Sequence, residues 1–535
     1  MSTRVDATGA NREDFNDTSG LGGHPRGLTT LFFTEMWERF SYYGMRAILF
    51  LYMISAVDKG GLGWDEGFAG PIFGLYASSV YFLPLIGGWI ADRFIGAKRA
   101  TFIGGVIIML GHFALAVPTM TFFYIGLVCV AVGTGFLKSN ISAMVGDLYD
   151  EKDVRRDAGF SIFYMGINMG AFFAPLACGF LAQSDTFKNF IARMGFDPNS
   201  SWHFGFAAAG VGMGFGLVQY ILGRDRLRNV GEPPKVSRVD ASPLESAQTE
   251  SAQSNFSTAY VVQMLVVVAL AVAVVAGASL IRDFAFALKY VLMPTVLVAG
   301  LVAVVLTGMQ DKLTFTDWKR LGTIFVLFTF SMVFWMGFEQ ASTSFNAFAE
   351  KLTERRIFGW EFPASWLQSI NPLMIIGFAP VFAWIWVKMG RRQPSDPTKF
   401  SVGLLFGGLG FVVVALAASF TDAGKVSWVW FLLIYFCHTV GELCLSPVGL
   451  SSMTKLAPGR MVSLMLGVWF LSISMGNYFA GLVAGEFEEN AAVLVGIFSK
   501  VAMILIGGAI LLAIITPFVK KLTTKKALEA VPVEP

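Results

Sequence analysis

The stretch Glu35-Met-Trp-Glu38-Arg39-Phe-Ser-Tyr42-Tyr43-Gly-Met-Arg46 sets four ionisable side chains into a segment that is apolar on both sides. Glu35 and Arg39 are four residues apart and share a helix face, with Glu38 next to Arg39. Two carboxylates competing for one guanidinium allow one to take a proton while the other stays paired, which is the chemistry of a proton switch; the plainer alternative is a structural ion pair. Lys138, in Gly133-Thr-Gly-Phe-Leu-Lys138-Ser-Asn-Ile-Ser, is an isolated cation that needs a partner, and the carboxylates of the first segment are the obvious supply. The second half of the chain contributes acids alone, Glu339 and Glu442. A cavity between the halves would therefore set Arg46 and Lys138 opposite Glu339 and Glu442, a polarity that suits a zwitterion. Tyr42, Tyr43, Tyr81, Trp335, Trp469, Asn168 and Asn371 flank these charges. Singly, each aromatic is an ordinary packing or interface residue; clustered beside charges they offer apolar walls for varied side chains, with the amides meeting a backbone-like ligand.

The elements that must hold these groups follow from composition. The 535 residues are 55% hydrophobic and only 14% charged, with a mean hydropathy of +0.62. A soluble domain carries about 25% charged residues, so the chain reads as an all-α polytopic membrane protein. In that setting a central charge costs about 2.5–3.5 kcal/mol or more, which makes each one a functional candidate. Fourteen apolar segments meet the length of a bilayer crossing, grouped six, two and six. The predicted division is a tail 1–27, a six-helix bundle 28–222, a linker with an inserted helix pair 223–320, a second bundle 321–518 and a tail 519–535. Arg224 to Ser257, rich in Ser and Pro, reads as a flexible linker. The middle pair carries no ionisable residue in its core and is expected to be peripheral and lipid-facing.

Of the 40 Lys and Arg, 27 fall in the tails and the loops on the side of the N-terminus and 10 on the opposite side, which predicts both termini in the cytoplasm. The net charge of +3 gives no reason to expect a nucleic-acid partner. The polar first residues lack the features of a cleaved signal peptide. Cys129, Cys178, Cys437 and Cys444 lie singly in apolar runs and read as small buried hydrophobes, not as a disulfide or metal framework. His112 and His438 read as satisfied core residues. Without a nucleophile–base pair, a phosphate loop or a metal cluster, an enzyme is poorly supported.

The two six-segment groups are related to each other. Sliding the chain by 306 residues lays Phe163–Leu176 over Trp469–Leu482; carried on to Gly179 and Gly485, seven of seventeen positions are identical, and the same offset lays Gly135 over Gly441. Parallel six-helix repeats around a midplane site are a secondary-transporter arrangement. Pro175, Pro372, Pro380 and Pro447 could loosen helices where gating bends them.

Gly88-Trp-Ile-Ala-Asp92-Arg93-Phe-Ile-Gly96-Ala-Lys98-Arg99 resembles the loop signature of the major facilitator superfamily, where Asp92, Arg93, Lys98 and Arg99 would latch helix ends by ion pairs. Glu35-x-x-Glu38-Arg39 with Tyr-Tyr-Gly-Met-Arg46, Lys138 in its Ser-Asn-Ile-Ser context, Phe163-Tyr-x-x-Ile-Asn168-x-Gly and Gly441-Glu442-Leu-x-Leu-Ser-Pro are together similar to the proton-dependent oligopeptide transporter family. The resemblance runs from about Leu28 to Phe518 and extends to the inserted pair of the prokaryotic members. It implies the major facilitator fold and proton-driven uptake of di- and tripeptides, with no cofactor beyond the proton gradient and a monomer in the cytoplasmic membrane. It also implies roles: Glu35, Glu38 and Arg39 for proton coupling with Lys138 as partner, Arg46 and Lys138 for the peptide carboxylate, and Glu442, Asn168 and Asn371 for the amino end. Glu339 would link protonation to gating, and Tyr42, Tyr43, Tyr81, Trp335 and Trp469 would line side-chain pockets. The second segment, unlike that of the animal members, has no histidine, so proton transfer should fall to carboxylates. The alternatives are a related carrier for another small solute, such as an amino acid, nitrate or a peptide-like drug, or a membrane sensor, for which no output domain is evident.

Overall fold

The computed structural model describes residues 17–150, 153–232, 258–283, 286–458 and 461–523. Fourteen long helices account for most of them: α1 (Arg26–Ile54), α2 (Glu66–Ile90), α3 (Ala97–Leu115), α4 (Met120–Asp147), α5 (Arg156–Gln183), α6 (Ser201–Gly223), α7 (Thr258–Ile281), α8 (Leu292–Gln310), α9 (Phe315–Phe338), α10 (Ile370–Met389), α11 (Asp396–Ala418), α12 (Val429–Leu456), α13 (Val462–Ala484) and α14 (Ala491–Thr523). Among the described residues, twelve of these are both long and apolar enough to cross a membrane. The two others are α1, which carries five charged residues along its length, and α7, whose described side chains run from Val266 to Ile281 and form an apolar stretch. Polar caps start several helices: Asp65 accepts from the Phe68 amide at α2, and Thr314 and Asp317 form a reciprocal box at α9. The predicted linker after Arg224 is described only to Glu232; residues 233–257 lie outside the described residues.

In the first half, α1 packs on α5 and α6, α3 on α4 and α6, and α2 on α4. In the second, α11 packs on α12 and α14, α9 on α13 and α14, and α10 on α12. Two seams join the halves, α2 against α13 and α5 against α10. Moving α2 by 306 residues lands on α10, and moving α5 lands on α13, so the seams are one pairing used twice. That is the geometry an internal duplication produces. On the α2–α13 seam the backbones meet at glycine: a Cβ on Gly481 would lie 2.5 Å from both the Gly70 carbonyl oxygen and the Gly74 Cα.

Alternating crossings leave both described ends of the chain on one face, here the termini face, with the far face opposite. The far face carries two short amphipathic helices, Asp185–Arg193 and Ser344–Leu352, and two-residue strand pairs between Thr353–Glu354 and Val426–Ser427 and between Arg356–Ile357 and Trp360–Glu361. The inserted pair, α7 and α8, is peripheral as expected, yet α8 is docked on α13 and not surrounded by lipid.

At the termini face, residues before α1 are strapped onto the turn after α4. His24 Nδ1 lies 2.8 Å from the Tyr149 hydroxyl, and Arg155, paired to Asp153 at 2.7 Å, donates to the Asp17 carbonyl. Burial and the neighbouring Arg155 cation both pull the His24 pKa below its ordinary value, with Asp153 opposing weakly. A histidine whose folded pKa is depressed stabilises the docked strap above its free pKa of 6.5 and loses that contribution as the pH falls below it. Protection of the amides of residues 17–25, taken relative to their intrinsic exchange rates at each pH, should therefore fall between pH 7 and 5 in the wild type, and this loss should vanish in His24→Gln.

Candidate functional site

One face of α1 sets the chemistry. Arg39 Nε is 3.0 Å from Glu35 and is also ion-paired to Glu38, with all three side chains buried. Two turns toward the far face, Arg46 is ion-paired to Glu339 and donates to Asn477 Oδ1 at 3.2 Å. The Tyr42 ring lies between the two guanidinium groups, 5.6 Å from Arg39 and 5.9 Å from Arg46. Tyr42 is thus a fully buried spacer and not a pocket wall as expected.

A cavity of about 3380 Å³ lies between the halves and runs on along the inserted pair, where Val268, Ala271, Val296 and Ala303 line it. Its walls include Glu35, Arg39, Tyr43, Arg46, Tyr81, Lys138 and Asn168 from the first half and Trp335, Glu339, Asn371, Glu442 and Trp469 from the second. Glu38 is not among them and is 0% exposed, sealed behind Arg39. Most of the residues singled out in the sequence therefore share one chamber, with the acids Glu339 and Glu442 across from Lys138 as predicted.

Three placements differ from expectation. Lys138 makes no ion pair among the described residues: its Nζ sits 3.6 Å from the Tyr81 ring centroid, while both α1 carboxylates are held by Arg39. A guanidinium on the same helix, one turn from Glu35 and next to Glu38, reaches them more directly than an ammonium on another helix. Arg46 does not face Glu339 across an open space but binds it, which closes that end of the chamber. Among the described residues, His112 and His438 are buried with no hydrogen-bond partner at either ring nitrogen, unlike the satisfied core residues expected; His438 is packed among Phe338, Phe345 and Phe411.

The two amides are held by different partners. Asn371 donates to Thr439 Oγ1 at 3.0 Å and to Glu442 Oε2 at 3.2 Å, which holds that carboxylate toward the chamber. Asn168 donates to its own helix at the Tyr164 carbonyl, leaving its side-chain oxygen for other partners. Trp469 reaches the chamber because Gly449 leaves room; a Cβ there would fall 2.0 Å from the indole.

The chamber is shut toward the far face. Besides the Arg46–Glu339 pair, Ser78 and Ser474 exchange hydrogen bonds with each other's carbonyls at 2.8 and 2.9 Å, Asn346 donates to the Ala47 carbonyl at 2.7 Å, and Lys351 binds Glu66 at 2.6 Å. Each contact joins one half to the other. Sequence reasoning missed Asn477, Ser78, Ser474 and Asn346, although Asn477 lies within the repeated window and an amide in a membrane span was signal enough. Toward the termini face the walls run out through Trp89 on α2, Asp92 and Arg93 in the turn after it, and Arg156 and Asp157 on α5. There Asp92 is exposed without an ion pair among the described residues, Arg93 stacks at 5.1 Å from the Trp89 ring, Lys98 donates to the Arg228 carbonyl, and Arg99 is exposed. Among the described residues Asp92 therefore makes none of the ion pairs expected of the latch.

Residues 98–498 match the sequence model of the POT family. The chain is 38% identical over 510 residues to the peptide transporter YePEPT of Yersinia enterocolitica, covering 92% of this chain and 94% of that one, and 37% identical over 509 residues to the di-/tripeptide transporter of Lactococcus lactis, covering 93% and 96%. A crystal structure of a peptide transporter POT in complex with alafosfalin superposes with a TM-score of 0.78 at 37% identity, covering 96% of this chain and all of that one. Buried charges on α1, a midplane chamber between duplicated halves and these extended similarities converge on one assignment: the chain belongs to the POT family.

Proposed function

We propose that the chain imports di- and tripeptides across the cytoplasmic membrane in symport with protons, by alternating access. The observation that carries the reading is the chamber itself. It sets the Lys138 ammonium opposite the Glu442 carboxylate in apolar and aromatic walls, sealed at one end and open at the other. A peptide's carboxylate finds Lys138, and Arg46 once Glu339 releases it; its ammonium finds Glu442, held by Asn371. Tyr43, Tyr81, Trp335 and Trp469 supply apolar surface without selecting one side chain.

The distribution of basic residues supports cytoplasmic termini, which makes the described state inward-facing. Protons entering from the far face meet Glu339 first, and Glu35 and Glu38 deeper in. Protonating Glu339 weakens its hold on Arg46 and frees the far-face seal, and the seal re-forms when the proton leaves to the cytoplasm. On this reading the proton gradient is the energy source, no cofactor takes part, the chain is a carrier and not an enzyme, and a single copy suffices.

Purified protein in proteoliposomes should accumulate labelled dialanine only when the lumen is more alkaline than the outside. Equal uptake with and without the gradient would remove proton coupling, and no uptake of dialanine in either case would remove the peptide assignment.

A further inference from the structure

The inserted pair meets the transporter core at one polar point. Between α7 and α8 a π-helical turn, Ala287–Val291, presents Lys289, whose Nζ donates to the Gly67 carbonyl of α2 at 2.9 Å. The carbonyl of the same residue accepts from the Tyr478 hydroxyl of α13 at 2.6 Å. Two prolines leave these carbonyls available. The amide that would serve Gly67 in a regular helix belongs to residue 71, and the amide that would serve Lys289 in the π-helical turn belongs to residue 294; both are proline and have no N–H. Among the described residues Lys289 has no carboxylate partner, so the carbonyl is its main anchor.

Gly67 and Tyr478 stand on opposite sides of the seam between the halves. Next to them lie the closest backbone approaches on that seam, Gly70 and Gly74 against Gly481, and the paired serines 78 and 474. We propose that the inserted pair is a latch on the far-face closure, with Lys289 as the positioning residue that ties α2 to α13 while that face is shut. Opening the far face separates the two helices, and Lys289 cannot follow both; one of its two hydrogen bonds must break. Both bonds are part-buried, so water replaces a broken one only incompletely, and the latch biases the equilibrium toward the inward-facing state. The device needs no contact with peptide. It rests on the alternating-access reading, but its test is a distance and not an uptake rate, so failure of one is distinguishable from failure of the other.

Spin labels at Val57→Cys and Phe358→Cys, both exposed on far-face loops of different halves, report that opening in full-length protein lacking the four native cysteines. Lys289→Met, which keeps the length and removes the donor, should raise the ratio of far-open to far-closed populations about fivefold or more. Lys289→Arg should restore the wild-type distribution, which a role in bulk packing alone would not do. Tyr478→Phe, lacking one hydroxyl, should shift the ratio in the same direction, and serves if Lys289→Met does not fold. Unchanged distance distributions in Lys289→Met, or in Tyr478→Phe where only that variant folds, would overturn the latch.

Discussion

Glu339→Gln will loosen the far face by removing the acid that holds Arg46. The substitution keeps the shape and one acceptor but leaves the Arg46 guanidinium, itself 3% exposed, with only Asn477 at 3.2 Å. Removing one member of a buried ion pair costs about 3–5 kcal/mol, because the remaining charge has neither partner nor water. That cost falls only on the far-closed state, in which the pair exists. It is enough to reverse an equilibrium favouring closure by 100:1, since each 1.4 kcal/mol is about tenfold. Modification of a cysteine introduced at Ser474, which is sealed when the seam is shut, should be more than about tenfold faster in Glu339→Gln than in the wild type at neutral pH. Arg46→Met should open the seam similarly, and the double variant should be less perturbed than the sum of the two singles, since removing both charges leaves neither unpaired. Strict additivity would mean that the pair does not hold the seam.

Much of this site was readable in the sequence, for a physical reason. In a bilayer a charge is expensive, so Glu35, Glu38, Arg39, Arg46, Lys138, Glu339 and Glu442 stand out against an apolar background, and six of the seven line one chamber. The helices were equally legible, because a crossing has a required length and an apolar composition, and among the described residues only α1, through its charges, departs from that composition. What the sequence could not give was pairing. Arg46 and Glu339 are 293 residues apart, and nothing local says that they touch and do not merely face each other. Lys138 had an evident need and an evident supplier, but Arg39, on the same helix as both carboxylates, binds them first, so Lys138 rests on Tyr81 instead. The far-face seal was invisible because it uses serine hydroxyls, glycine backbones and carbonyls freed by proline, none of which departs from ordinary membrane-helix composition. The inserted pair is silent for the same reason: its apolar cores carry no charge, and Lys289 lies at its tip.

Reconstituted Glu38→Gln will exchange labelled dipeptide across the membrane but will not concentrate it. Glu38 and Glu35 together carry two negative charges against one Arg39 cation, so the cluster holds one proton's worth of surplus charge in a place where charge is costly. Glu35 lines the chamber and can trade its proton with the open side, whereas Glu38 is sealed behind the guanidinium. In the wild type, protonation of either acid leaves Arg39 neutralised by the other, and the state of the cluster therefore changes with the proton without stranding a cation. Glutamine at 38 removes the surplus: Glu35 becomes the sole counter-ion of Arg39, and protonating it would leave a bare buried guanidinium at a cost of about 3–5 kcal/mol. The cluster then stays in one protonation state through the cycle. At one proton per peptide, each pH unit supports about tenfold accumulation, since one pH unit is about 1.36 kcal/mol. The wild type should reach that ratio, and Glu38→Gln should stop at equal concentrations on the two sides while counterflow against preloaded peptide continues. Glu35→Gln should also fail to accumulate, because Glu38 then becomes the sole counter-ion. Accumulation by Glu38→Gln at the wild-type ratio would take the coupling role away from this cluster and leave it with Glu339 alone.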